Sequence, residues 1–226
     1  MIRRWLKSWL SRGVRQALRL LQAEIGTQIR HRASVRKAQR YLGRRELELN
    51  LGCGTNIKQG WINADVFSDD AELHLDLREP FPFADGSVAR VYAEHLLEHL
   101  EYPEEVGSFL SETLRVLRPG GLLDVGVPDT EWPVTAYVSR DAAYFDFVHR
   151  RFHPAWCDTR MHNLNYHFRQ AGEHKYAYDT ETLANVLKQA GFEDIAPRDF
   201  DAALDSEDRR TGTIYFRARK GRDRAG

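Results

Sequence analysis

Apolar residues open the chain at helical steps. Ile2, Trp5, Leu6, Trp9, Leu10, Val14, Leu18, Leu21, Ile25 and Ile29 recur every three or four positions, with Arg and Lys opposite. This spacing predicts an amphipathic helix over 2–29. Gly13 and Gly26 weaken it by about 1 kcal/mol each relative to Ala. Residues 30–45 are polar and basic and read as a linker or a second short helix. From Glu46 the pattern shortens into strand-length apolar runs at 47–51, 61–66, 73–77, 87–93 and 122–127. A helical run over 104–117 stops at Pro119-Gly120-Gly121, and another over 180–190 has Thr180 as N-cap and Gly191 just past its end. Runs at 192–198 and 213–219 form a closing strand pair. Strands alternating with helices predict an α/β fold: a doubly wound, mostly parallel, Rossmann-like sheet of seven strands with the last antiparallel, preceded by the helical arm. In such sheets ligands bind just beyond the carboxyl ends of the strands.

Charge divides the chain in the same places. The formal net charge of zero sums an arm (1–45) at +12, a body (46–216) at −16 and a C-terminal stretch at +4. The expected domains are therefore a basic arm and linker over 1–45, a globular domain over 46–220 with an insertion at 131–178, and a basic tail over 221–226. An acidic body disfavours a catalytic domain that wraps nucleic acid. Two cysteines, Cys53 and Cys157, imply no disulfide framework and fit a reducing, cytoplasmic setting. No apolar run approaches the roughly 20 residues of a membrane span, and Lys7, Arg12, Arg15 and Arg19 interrupt what would be a secretory signal.

The chemistry begins where the first strand ends. Leu49-Asn50-Leu51-Gly52-Cys53-Gly54-Thr55-Asn56 runs an apolar strand into two glycines spaced one apart, which lets the backbone turn sharply and approach a ligand. Such turns are common. The dinucleotide fingerprint wants a third glycine at position 57, which is Ile57, and no GK[ST] follows for a phosphate loop. Asp65 and Asp76 end the next two strands. The first can accept hydrogen bonds from a ribose diol; the second, with Phe81-Pro82-Phe83 behind it, can hold an adenine. Each acid alone reads as a solvated strand end; it is their succession after the glycine turn that carries the signal.

Together with Glu94-His95-Leu96-Leu97-Glu98-His99 and Arg115-Val116-Leu117-Arg118-Pro119-Gly120-Gly121, these motifs resemble the class I S-adenosylmethionine methyltransferases. They are most similar to the small bacterial ones associated with surface-polysaccharide biosynthesis. The resemblance covers 46–130, with a fainter echo at 172–195. It implies S-adenosyl-L-methionine as cofactor. Gly52, Cys53 and Gly54 would lie under its methionine part, Asp65 at the ribose, Asp76 and the Leu77 backbone at the adenine, and Glu94 and His95 beside the reactive methyl. Asn50 stands where the family often has an acid, and can meet the cofactor's ammonium only through its amide oxygen. Asn56 replaces a common glycine, and the segment from Gly54 to Asp65 is too short for the usual first helix.

A hydroxyl acceptor calls for a general base. His149, His153, His162, His167 and His174 crowd the region beyond the fifth strand. His174 lies in the stretch that echoes the family and leads as base, with Glu94 and His95 as helpers; Asp179 is placed to orient it. His99 reads as a satisfied buried histidine sharing a helical face with His95. His149 and His153 are one helical turn apart, but Pro154 follows at once and neither paired cysteines nor His-Glu-x-x-His occurs, so no metal centre is expected. The aromatic group Trp132, Tyr137, Tyr144, Phe145, Phe147, Phe152 and Trp156 reads equally as a lid or as the insertion's own core.

The expected acceptor is a sugar or other polar small molecule, or a lipid-linked glycan. Residues 1–29 then bring the enzyme to the inner face of an anionic membrane or pack on the body or on a second copy of the chain. The alternative function is a cofactor-binding or interaction protein whose catalysis has lapsed, for which Asn50 and Asn56 speak. A nucleic-acid methyltransferase ranks low, since no Asn/Asp-Pro-Pro-Tyr tetrapeptide occurs.

Overall fold

The computed structural model describes residues 10–222. Trp5 and Trp9 of the arm and the end of the basic tail lie outside them. Helix α1 runs from Arg12 to Ala38, capped by Ser11, whose hydroxyl accepts from the Val14 amide. The stretch expected to be a linker mostly continues this helix.

Six strands form one sheet: β1 (Leu47–Leu51), β2 (Ile62–Ala64), β3 (Val88–Glu94), β4 (Leu117–Pro128), β5 (Phe192–Arg198) and β6 (Thr213–Lys220). Their order is β2-β1-β3-β4-β6-β5. The first four are parallel, and β6 is antiparallel to both neighbours. Helix α2 (Glu104–Val116) leads straight into β4, which begins before Pro119-Gly120-Gly121 rather than after it. Three helices fill the insertion: α3 (Glu131–Ser139), α4 (Ala142–Arg151) and α5 (Arg160–Arg169). Helix α6 (Thr180–Gln189) is capped by Asp179, one residue before the expected cap.

The seventh strand, expected at 73–77, is reduced to a single parallel bridge between Ala64 and Leu73. The reason lies in α1. Ser34 Oγ accepts from the His74 amide at 2.7 Å, and His31 Nδ1 from the Asp76 amide at 3.1 Å. Edge backbone donors must find partners; here helix side chains supply them in place of a strand ladder. The Arg78 guanidinium, pairing both Asp76 and Glu24, ties the same edge to α1.

Alternation along the strands separates two faces. Leu47, Leu49, Leu51, Val91, Ala93, Leu123, Val125, Val127 and Phe216 point into the apolar core. There they meet Val106, Phe109 and Leu110 of α2 and Leu183, Val186 and Leu187 of α6. The opposite positions are polar: Asn50, Asn63, Arg90, Tyr92, Glu94, Asp124, Tyr215 and Arg217. Asp124 is fully buried among arginines, with Arg90 at 2.7 Å, Arg217 at 2.7 Å and Arg198 at 3.2 Å. The turn after β1 and the loop between β5 and β6 close over this face, Lys58 lying 4.1 Å from the Tyr92 ring centroid.

Asp124→Ala leaves three guanidinium groups without their shared anion. It should lower stability in urea denaturation by about 3 kcal/mol, the low end for breaking a buried ion pair, since Arg90 and Arg217 reach solvent.

Candidate active site

The turn after β1 is shaped by glycine. Gly52 has φ +67°, and a Cβ there would meet Leu96 Cδ1 at 2.9 Å. Gly54 has φ +51°, and nothing lies within 4 Å of where its Cβ would be, which leaves room above the turn. Residues 55–61 contain no helix. Asp65, just past β2, fastens the turn: its Oδ2 accepts from the Gly54 amide at 3.0 Å, and its Oδ1 from the amides of Phe67 and Ser68. With one bond on Oδ2, the carboxylate keeps acceptor capacity for a ribose hydroxyl.

Asn50 is buried and donates its amide to Asn56 O and Asn63 Oδ1. Its Oδ1 accepts no bond among the described residues, and this is the atom a cofactor ammonium needs. Burial, followed by the nearby Asp65 carboxylate, pushes the Cys53 thiol up to about 12, so it stays protonated. The turn, Asp65 and Asn50 therefore fit the ribose and methionine parts of S-adenosylmethionine.

Other expected contacts are placed differently. Asp76 is engaged by Arg78 at both oxygens, at 2.9 and 2.8 Å. Burial alone would raise its pKa, but the Arg78 bonds outweigh it and hold the carboxyl below its ordinary value. It braces the sheet edge, while Leu77 follows it as a buried residue. Phe81 and Phe83 are core residues packed on Phe109 and Tyr41 rather than open apolar walls. Glu94 is also closed in. Its Oε1 accepts from the Ser206 amide and the Tyr215 hydroxyl, and its Oε2 from the Ser206 hydroxyl at 2.6 Å, with Arg209 at 3.4 Å. It anchors the β5–β6 loop.

His95 follows Glu94 in the left-handed region, at φ +54°. Such backbone costs on the order of 1–3 kcal/mol and gathers at functional sites. Its Nε2 lies 2.8 Å from Thr213 Oγ1 and its Nδ1 3.6 Å from Glu98 Oε1. Burial, followed by the charge of Arg209, keeps its pKa well below the ordinary value, so it is neutral. His99 is half-exposed rather than buried, on a tight turn rather than a helix.

The crowded histidines separate into two groups. His153 bonds Asn163 and His162 bonds Asp158, both within the insertion. His167 and His174 line a small cavity with Glu98, Thr130 and Tyr178. His174 Nδ1 lies 2.9 Å from the His167 carbonyl, and its ring stands 5.2 Å from that of His99. Burial takes His167 down to about 4; it also lowers His174, against the opposing His167 carbonyl. Asp179 does not orient His174, because its carboxylate caps α6. Trp132, Tyr144, Phe145 and Phe147 form the core of the insertion, whereas Phe152 and Trp156 are exposed.

Sequence reasoning missed Glu98. Only 2% of it is exposed, neither carboxylate oxygen has a hydrogen-bond partner, and burial pushes it up to about 8. The available signal was its place inside Glu94-His95-Leu96-Leu97-Glu98-His99.

Residues 53–125 match the family model described as a methyltransferase domain. No curated protein matches. Among solved structures, the chain is similar to a SAM-dependent methyltransferase from Archaeoglobus fulgidus, at 17% identity over 84% of this chain and 94% of that one, with a TM-score of 0.49. It is also similar to one from Methanosarcina mazei, at 14% identity over 82% and 97%, with a TM-score of 0.47. The matched stretch begins within the glycine turn, at Cys53, and takes in Gly54, Asp65, strands β2 and β3 and most of β4.

Asp65→Ala removes the carboxylate that fastens the turn and that would accept from a ribose hydroxyl. Calorimetry should show S-adenosylmethionine binding weakened by about 1–3 kcal/mol; unchanged affinity would remove Asp65 from the site.

Proposed function

We propose that this protein is an S-adenosylmethionine-dependent methyltransferase that O-methylates a sugar or another polar, small or lipid-linked acceptor, with His174 as the proton-accepting residue. The observation that carries the reading is the orientation of His174. Its Nδ1 is committed to the His167 carbonyl, so the neutral ring offers the Nε2 lone pair to a hydroxyl. His95, whose Nδ1 lies 3.6 Å from Glu98 Oε1 beside this group, is suited to positioning. When bound, the cofactor supplies a methyl already activated on its sulfonium, which leaves alignment and proton acceptance to the chain.

Turnover by His174→Ala should fall on the order of 100-fold with sugar acceptors, while cofactor affinity stays near that of the unaltered enzyme. Full activity in that variant would assign the role elsewhere.

The arm, in the same reading, holds the protein at an anionic membrane surface. Val14, Leu18, Leu21, Ile25 and Ile29 form one exposed row on α1, Ile29 at 64% exposure, while the helix packs through Thr27, His31, Ser34 and Ala38. Arg12, Arg15, Arg19 and Arg30 lie to one side of the row. An exposed apolar row beside cations suits an anionic bilayer surface, where each basic residue contributes roughly 1 kcal/mol. Among the described residues, no helix is long and apolar enough to cross a membrane. The full chain should float with anionic liposomes at low salt and be released at high salt. Flotation unchanged by deleting residues 1–29, or none at low salt, contradicts this part alone.

A further inference from the structure

The Glu98 carboxylate is the least satisfied group in the described chain. It is buried beside two imidazoles, with no hydrogen-bond partner on either oxygen. Ionised carboxylates are not kept in such places without a counter-charge. Its backbone shows how it is held there: the Glu98 carbonyl accepts from the amides of Lys175 and Tyr176, at 2.7 and 3.3 Å, and this clips the His174 segment against the turn after β3.

One ligand atom each from Glu98, His99 and His174 lies within 4.8 Å of the other two. The histidines are prepared alike. His99 Nδ1 lies 3.2 Å from the Glu173 carbonyl, and His174 Nδ1 lies 2.9 Å from the His167 carbonyl. A backbone carbonyl accepting the Nδ1 proton fixes the tautomer and leaves Nε2 as a lone-pair donor, the support that metal-ligating histidines have. His99 Nε2 lies 3.9 Å from Glu98 Oε1. Ligand atoms bound to one ion at about 2.0–2.2 Å stand roughly 3–3.5 Å apart, so closing the set asks for a movement on the order of an ångström. The neighbouring cavity, lined by Glu98, His167, His174 and Tyr178, has a volume of about 10 Å3, room for one small sphere. The Tyr178 hydroxyl in its wall is buried and also has no partner.

We propose that Glu98, His99 and His174 form a binding site for a divalent transition-metal ion of the zinc class. Two imidazoles and a carboxylate are a donor set for such ions, and three protein ligands leave coordination positions open. His95, with Nδ1 3.6 Å from Glu98 Oε1, borders the set. This goes beyond the acceptor reading: with the ion bound, the His174 Nε2 lone pair is taken up by it, and proton acceptance by His174 belongs to the ion-free protein. Ion binding itself does not depend on that reading.

The test uses the full-length protein, stripped with chelator and titrated with Co2+ as a spectroscopic stand-in for Zn2+. One equivalent should give visible absorption bands of a low-coordinate cobalt site, and Zn2+ should displace it. Glu98→Gln, His99→Asn and His174→Ala should each weaken the ion by about 10–100-fold or more, whereas His162→Ala, on the exposed pair with Asp158, should not. Circular dichroism identifies any variant that fails to fold, and the remaining variants then decide. Wild-type protein without cobalt bands, or with bands that survive His99→Asn and His174→Ala, overturns the site. In either case, turnover loss in His174→Ala would still stand as evidence for the base.

Discussion

The connection between two parallel strands governs much of this molecule. Residues 52–61 must carry the chain from the end of β1 to the start of β2, and they are too few to form the crossover helix that commonly covers a parallel sheet. The sheet face beneath them is therefore built from Asn50, Asn63, Tyr92, Glu94, Asp124 and Arg217 rather than from aliphatic residues. Buried polar groups of that kind demand partners. The loop between β5 and β6 supplies them: Ser206 and Arg209 to Glu94, and Asp205 to Arg198 and Tyr92. Asn56 and Lys58 of the short turn bond Ser206 and the Leu204 carbonyl in their turn. The turn after β1 and the C-terminal loop thus form one hydrogen-bonded unit.

The same economy operates at the other edge. Where a further strand would pair with β2, α1 offers Ser34 and His31, and Asp76 is spent on Arg78. The basic arm is therefore part of the scaffold through its second half. Its first half leaves an apolar row in solvent.

The parts legible in the sequence were those written in local pattern. The two-glycine turn, Asp65 just past a strand, the helix over 104–116 and the closing antiparallel pair all follow from periodicity and turn chemistry within a dozen residues. The parts that were not legible depend on distant partners. Glu94 resembles a site residue until Ser206, Arg209 and Tyr215, more than a hundred positions away, are seen to hold it. Asp76 ends an expected strand, but its edge is completed by a helix some forty residues earlier. Glu98 acquires its surroundings only when the 173–176 segment folds onto it. The histidine cluster could be counted in the sequence but not divided, because α4 and α5 carry some of its members into the insertion and return His167 and His174 to the sheet.

Hydrogen exchange of the full chain, with and without S-adenosylmethionine, tests the central claim that the turn and the loop form one cofactor-holding unit. Bound cofactor should slow exchange at amides 52–56 and 65–68, and with them at 204–210, which the ligand need not touch; NAD should change none of these. Protection at the turn with the 204–210 loop unaffected, or equal protection by NAD, would contradict the account.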